Sequence, residues 1–107
     1  GFDADGFEHA CRLWTVTLEI SVGMAQFPSP AIARNSYDYR TLGLGYANLG
    51  ALAMASGLSY DSPEARAICG AVTALLTGAA YRASAEMAGA IGAFPLWREN
   101  REAMLRV

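Results

Sequence analysis

Two apolar stripes on one predicted helix constrain this chain more than any other feature of its sequence. The helix is predicted from about Gly6 to Gln26, and its apolar residues recur every three or four positions. One stripe contains Phe7, Cys11, Trp14, Leu18, Val22 and Ala25, and the other contains Leu13, Val16, Ile20, Met24 and Phe27. Little polar face remains, so we expect a helix that is buried on most sides, in a core larger than one helix–helix seam.

Local signals predict where this first helix begins and ends. Asp5 followed by Glu8 has the spacing of a capping box, in which the Asp5 carboxylate accepts from the first free amides. The run Phe27-Pro28-Ser29-Pro30 ends the helix, because proline restricts the residue before it and cannot continue the hydrogen-bond ladder.

Further start and stop signals predict a mostly α-helical chain. The predicted segments are Pro30 to about Tyr37 after the N-cap Ser29, Ala47 to about Ser56 before Gly57, Pro63 to about Gly89 after the N-cap Ser62, and Pro95 to about Arg106. Arg40–Gly45 is predicted to be extended, with at most one short strand. Residues 1–107 are expected to form a single helical segment, with more than half of the residues in helices.

The chain is rich in apolar residues for its length. It has 107 residues, of which 53% are hydrophobic and 17% are charged, a composition that excludes intrinsic disorder. A domain of this size buries only about two-thirds of the surface of its unfolded chain. We therefore expect a homo-oligomer, most simply a two-fold dimer, formed through the Trp14–Val22 region or the small-residue Ala67–Gly78 face.

The charge pattern argues against nucleic acid and membranes as partners. The net charge is −2, all eight basic residues are arginine, and no basic run occurs. No apolar run reaches the roughly 18 residues of a membrane span. The acidic start of the chain does not resemble a signal peptide, so the expected compartment is the cytoplasm.

The two cysteines and the single histidine do not form a metal-binding pattern. Cys11 and Cys69 each lie within an apolar helical segment, and His9 is two residues from Cys11, on a different helix face. We expect no metal site and two buried, reduced thiols.

A glycine-rich turn is the first candidate ligand site. Gly43 and Gly45 precede Gly50, but Asn48 stands where the dinucleotide fingerprint G-x-G-x-x-G needs its third glycine. Asp61 lies near the distance at which that fingerprint has an acidic residue, yet it also suits a helix start. The alternatives are a small-ligand site at this turn and a strand-to-helix corner, of which the corner is favoured.

Two polar groups are further candidates. Tyr37, Asp38, Tyr39 and Arg40 precede the glycine turn and suit either a ligand or the anchoring of a strand end. Glu86 lies in an apolar stretch, which is compatible with an acid–base group, but Arg82 is four residues away and predicts a salt bridge along the helix. No Ser–His–Asp set and no phosphate-binding P-loop occurs in the sequence.

The segment RTLGLGYANLG, residues 40–50, strongly resembles a segment of the adenosylcobalamin-dependent (class II) ribonucleotide reductases. The looser pattern Arg-x-Leu-Gly-Leu-Gly-x-x-x-Leu is also similar to class I large subunits. Flanking stretches carry the same resemblance, namely residues 14–27, 57–62, 77–78, 83–88, 99–100 and 104–107. The resemblance extends from about Phe2 to Val107.

This resemblance implies an internal fragment of an enzyme that reduces ribonucleotides by radical chemistry. In the family, Arg40–Gly45 would be an inner strand of a ten-stranded α/β barrel, with the long helices outside it or between half-barrels. The finger-loop cysteine, its Asn-x-Cys-x-Glu setting and the two reductant cysteines have no match here. The resemblance thus implies no catalytic residue and no cofactor in this chain, with adenosylcobalamin and the nucleotide substrate bound only by the parent.

We therefore expect the isolated chain to be inactive. The alternative is a stand-alone helical interaction module without catalysis. Whether the chain is an excised piece or a natural short protein stays open.

Overall fold

The computed structural model describes all residues, 1–107, and contains five helices and no strand. The helices are α1 (Ala4–Met24), α2 (Pro30–Tyr39), α3 (Leu49–Ala55), α4 (Pro63–Ile91) and α5 (Trp97–Met104). About 70% of the residues are helical, which confirms the mostly-α prediction. None of the helices combines the length and the apolar character needed to cross a membrane.

The predicted N-cap of α1 is wrong by two residues. Asp3, not Asp5, has the extended backbone of an N-cap, and its carboxylate accepts from the Gly6 amide at 2.9 Å. Asp5 lies inside the first turn, where its negative charge still favours the helix N-terminus. Glu8 then lies beyond the first turn and is free to contact another helix.

The other helix ends follow the predicted signals to within a few residues. Ser29 and Ser62 both cap their helices, accepting from the amides of Ile32 at 3.4 Å and Ala65 at 3.1 Å. Gly57 has a left-handed φ of 74°. The start of α3 moves from Ala47 to Leu49, because Asn48 also has a left-handed backbone, with φ 72°, and cannot belong to the helix.

The core lies between α1 and α4. Cys11 and Thr15 of α1 are buried, and Ala79 and Ala83 are buried on α4. The Thr15 hydroxyl donates to the Cys11 carbonyl at 2.7 Å, so its burial leaves no polar atom without a partner. Alanine at both α4 positions lets the two helices approach closely.

Two ion pairs join α1 to α4 and correct the predicted Arg82–Glu86 bridge. Arg82 pairs with Glu8, and Glu86 pairs with Arg12. Both partners advance by four residues along their helices, so α1 and α4 run in the same direction. The i, i+4 spacing of Arg82 and Glu86 would allow them to pair along α4. Each side chain instead contacts an oppositely charged residue on α1.

Residues 40–46 return along α1 in the opposite direction. Arg40 pairs with Glu19 near the end of α1, while the Tyr46 ring lies 6.5 Å from the Phe7 ring near its start. Twelve residues of helix span about 18 Å, and six steps of extended chain reach about 20 Å. The segment is therefore nearly fully extended, but it forms no strand, because no second strand lies beside it.

The chain is elongated rather than compact. Its radius of gyration is 16.8 Å, whereas about 13 Å is usual for a compact chain of this length. Only seven residues are buried. The expectation that α1 would be buried on most sides is wrong within this chain, since Leu13, Ile20 and Met24 are all more than half exposed.

Candidate functional site

The glycine turn does not assemble a dinucleotide site. Gly43 and Gly45 have no left-handed φ, and a Cβ at either position would meet no atom within 4 Å. Asp61 pairs with Arg66 at the start of α4. The structure thus places the predicted acidic residue in a local ion pair and gives the glycines no ligand-binding geometry.

Arg40 anchors the start of the extended segment. Its backbone is left-handed, with φ 50°, and its guanidinium donates to the Glu19 carboxylate at 2.9 Å. Gly23 of α1 lies next to this guanidinium, and a Cβ atom on residue 23 would be 3.0 Å from the Arg40 Nη2 atom. This pair is less exposed than the other ion pairs of the chain, which makes it the strongest polar link between α1 and the segment.

The remaining members of the Tyr37–Arg40 group do not converge. Tyr37 and Tyr39 expose their rings to solvent, and the Asp38 carbonyl accepts from the Leu96 amide at 3.1 Å. The anchoring role predicted as the alternative to ligand binding is the one observed for Arg40. Asp38, through its backbone, holds the turn before α5 against the end of α2.

A polar cleft of about 300 Å³ lies where α1 meets α4. It is lined by Asp5, Glu8, His9, Arg12, Ala79 and Arg82. Both arginines already pair with glutamates, so their charges are compensated. No group of three or more His, Cys, Asp or Glu side chains in the chain could hold a metal ion.

The two thiols are free and are too far apart to work together. Cys11 is buried on α1, and Cys69 is half-buried on α4. The Arg12–Glu86 ion pair places Cys11 beside residue 85 of α4. Cys69 comes about 16 residues earlier on α4, so the two cysteines are separated by roughly 24 Å along the helix. Burial raises the pKa of the Cys11 thiol, which disfavours the nucleophilic thiolate. The predicted reduced state agrees with this geometry, but only Cys11 is fully buried.

A second, apolar cleft of about 560 Å³ was not predicted from the sequence. It lies between the N-terminus, α3 and α4 and includes Phe2, Leu52, Ile68, Val72 and Leu75. Ile68, Val72 and Leu75 continue the Ala79–Ala83 stripe of α4 past the start of α1, and this continued apolar stripe is the sequence signal that points to the cleft. Nearby, the Tyr46 hydroxyl donates to Thr73, whose own hydroxyl donates to the Cys69 carbonyl at 2.7 Å. These contacts hold the end of the extended segment against α4 and contain no reactive group.

Known proteins of one kind match the chain. A family model described as "Ribonucleotide reductase, barrel domain" matches residues 1–106. A vitamin B12-dependent ribonucleotide reductase of Bradyrhizobium diazoefficiens is 63% identical over 99% of this chain. Enzymes of the same name are 64% identical in Agrobacterium fabrum, over 98% of the chain, and 51% identical in Rhodopirellula baltica, over 99%.

The match covers a small part of each relative. The chain spans 8% of the Bradyrhizobium and Agrobacterium proteins and 10% of the Rhodopirellula protein. The resemblance found in residues 40–50 and their flanks is thereby confirmed over essentially the whole chain. The chain belongs to the ribonucleotide reductase barrel-domain family and corresponds to an internal piece of its vitamin B12-dependent members.

Proposed function

We propose that this chain is a structural unit of the barrel of a vitamin B12-dependent ribonucleotide reductase. The complete enzyme would reduce ribonucleotides to deoxyribonucleotides for DNA synthesis, in the cytoplasm, where free thiols stay reduced. The observation that carries the proposal is the 63% identity over nearly all of this chain, against 8% of the relative.

The arrangement of α1, the extended segment and α4 supports a barrel role. Two helices that run in one direction, with an extended segment running in the other, form the repeating arrangement of α/β barrels. Leu42 and Leu44 are half-buried on the helix side, while Thr41, Gly43 and Gly45 are exposed on the other. This alternation is that of a strand with one face packed on helices.

The backbone of the segment is free to pair with strands on both sides. The N–H and C=O groups of residues 41–47 make no backbone hydrogen bond within the chain. Buried backbone groups need partners, so these groups would be satisfied in a barrel by neighbouring strands from the rest of the polypeptide.

The chain itself supplies scaffolding and no chemistry in this proposal. Its two thiols cannot form a redox pair at a separation of roughly 24 Å. Neither cleft is assigned to cobalamin in this proposal, because the polar cleft has a volume of only about 300 Å³ and the apolar cleft is lined mainly by apolar side chains. We propose that cobalamin and nucleotide are held by parts of the enzyme outside this chain.

A segment replacement tests the proposal. The matching stretch of the Agrobacterium fabrum enzyme is replaced by this chain, and cobalamin-dependent ribonucleotide reduction is measured. We expect the chimera to retain activity, since 64% of the replaced residues are identical. A matched chimera with Leu44→Asp places a carboxylate on the helix-facing side of the segment and is expected to lose activity.

The isolated chain is the second arm of the experiment. We expect it to show neither dithiol-dependent turnover nor tight binding of cobalamin by titration. A folded chimera without activity would contradict the barrel role. Turnover by the isolated chain would contradict the claim that it carries no chemistry.

A further inference from the structure

The extended segment is anchored to the helices at its two ends. At residue 40, the Arg40 guanidinium pairs with Glu19 of α1. At residue 46, the Tyr46 ring lies against the Phe7 ring of α1. Between these anchors, no backbone group of residues 41–45 makes a hydrogen bond within the chain. The position of the segment along α1 therefore depends on the two anchors, because no hydrogen-bond ladder holds it and apolar packing is not directional.

The two faces of the segment differ in chemistry, so its register along α1 matters. Leu42 and Leu44 are half-buried on the helix side. The opposite face is exposed and consists of Thr41, Gly43 and Gly45. Because the side chains of an extended chain alternate between faces, a slip of one residue would turn the leucines outward and the glycines toward the helices. Whatever fixes the register also fixes which face the segment presents to the rest of a barrel.

Of the two anchors, the Arg40–Glu19 pair is the stronger. The Arg40 Nε and Nη2 atoms both lie 2.9 Å from one Glu19 carboxylate oxygen. These two side chains are 27% and 20% exposed, whereas every other ion pair of the chain has at least one partner that is more than half exposed. Salt screens an exposed pair more than a partly buried one. Since Tyr46 is 39% exposed, the position of the segment depends mainly on Arg40.

The backbone carries the position of the Arg40 guanidinium directly into the segment. The Arg40 N–H donates to the Ser36 carbonyl at 2.9 Å at the end of α2, and the left-handed φ of 50° turns the chain into residue 41. From Arg40 to Tyr46 the extended chain reaches about 20 Å, and the matching span of α1 is about 18 Å. The difference of about 2 Å is smaller than the rise of one extended residue, about 3.3 Å. The segment therefore does not slip by a residue while both anchors hold.

We propose that Arg40 is a positioning residue of the complete enzyme, which acts through Glu19 to fix the register of the extended segment on α1. Gly23 is part of this arrangement, because a side chain at its position would crowd the guanidinium. The neighbouring strands of a barrel would then meet the segment in a single register, with its small residues facing away from the helices. The effect on the reaction rests on the proposed barrel function, whereas the register is a property of this chain.

Thiol accessibility measures the register in the chain itself. A Cys69→Ser background leaves the buried Cys11 as the only native thiol. Cysteine is then placed at position 42 or 43, and the rate of alkylation is measured. We expect Gly43→Cys to react several-fold faster than Leu42→Cys, because residue 43 is exposed and residue 42 is half-buried.

Arg40→Met and Arg82→Met are the matched variants. Each removes one ion pair of α1, but only Arg40 contacts the segment. Arg40→Met is expected to abolish the difference in alkylation rate, with helicity unchanged by circular dichroism, and Arg82→Met is expected to preserve it. Arg40→Gly removes the same guanidinium while suiting the left-handed turn, and it is expected to behave as Arg40→Met does. A difference that survives both Arg40 variants, or that Arg82→Met also abolishes, would overturn the inference.

The Agrobacterium fabrum chimera tests the effect on the reaction. A misplacement of about 1 Å can lower a rate about 100-fold, and a slipped strand moves by about 3.3 Å. Arg40→Met is therefore expected to lower cobalamin-dependent ribonucleotide reduction by about 100-fold or more, whereas Arg82→Met should retain most of it. Reversal of the pair, with Glu19→Arg and Arg40→Glu together, is expected to recover part of the loss.

The two experiments separate the register from the proposed function. Full activity of the Arg40→Met chimera, or equal losses in the Arg40→Met and Arg82→Met chimeras, would overturn the positioning role. An unsubstituted chimera without activity would instead contradict the proposed function, and the alkylation rates would still decide whether Arg40 fixes the register.

Discussion

Ala83→Leu tests whether close packing of α1 on α4 holds the fold together. Ala83 is only 1% exposed, and it lies one helical turn from the buried Ala79. Three added carbons would gain about 2.4 kcal/mol if there were room to bury them. Because Ala83 has no free surface, the added side chain must instead push α1 away, and overpacking of this kind costs about 1–3 kcal/mol. We expect a net loss of about 2 kcal/mol in the free energy of unfolding.

Thermal unfolding followed by circular dichroism measures this loss. For a chain of this size, 2 kcal/mol corresponds to a fall in Tm of roughly 10 °C. Ala85→Leu is the control, since it makes the same change on α4 at an exposed position. Leucine and alanine differ little in helix propensity, so the control is expected to unfold near the wild-type temperature. Equal Tm values for the two variants would refute the conclusion that the α1–α4 seam is the core.

Three further predictions concern polar and titratable groups. Replacing a glycine by alanine inside a helix normally adds about 1 kcal/mol of stability. Gly23→Ala is nevertheless expected to give no gain in Tm, because the new Cβ would crowd the Arg40 guanidinium. In an Arg40→Met background, the same substitution is expected to raise Tm. Glu8→Arg places two arginines side by side and is expected to lower Tm, whereas the double variant with Arg82→Glu should recover part of the loss, as a double-mutant cycle would measure. Burial raises the pKa of the Cys11 thiol, so the folded state holds the thiol proton more tightly than the unfolded state does. The free energy of unfolding is therefore expected to fall as pH rises above about 8.5. Urea titrations at a series of pH values measure this fall, which a Cys11→Ala chain should lack.

Local signals in the sequence were sufficient for most helices but not for their partners. The helix starts at Ser29 and Ser62 depend only on the Ser-Pro pair and an amide three residues after the serine, and both were predicted correctly. The partners of Arg82 and Glu86 lie 74 residues away, beyond the reach of any i, i+4 rule. Sequence spacing also cannot decide which of two apolar stripes is covered, because that depends on the helix that packs against it.

Sequence reasoning about the candidate site is tested by the structure only in part. The absence of catalytic residues from this chain stays a prediction, whereas the glycine turn, for which a strand-to-helix corner was favoured over a ligand site, has no ligand-binding geometry. The contact of Arg40 with Glu19 over Gly23 was missed. A glycine inside an otherwise apolar helix is a signal of close approach, but the sequence does not say which side chain approaches.

The parallel pairing of α1 and α4 affects how the chain folds. The ion pairs that join these helices close loops of 74 residues, at a cost of about 4 kcal/mol in chain entropy. Contacts so distant along the chain are typical of β proteins and slow their folding, although this chain is helical. During synthesis at about 5–20 residues per second, α1 must remain without its α4 partner for about 4–15 s before Glu86 emerges. For that interval the side of α1 that faces α4, with Cys11 and Thr15, is uncovered, and this is the period in which the nascent chain is most exposed to aggregation and to chaperones.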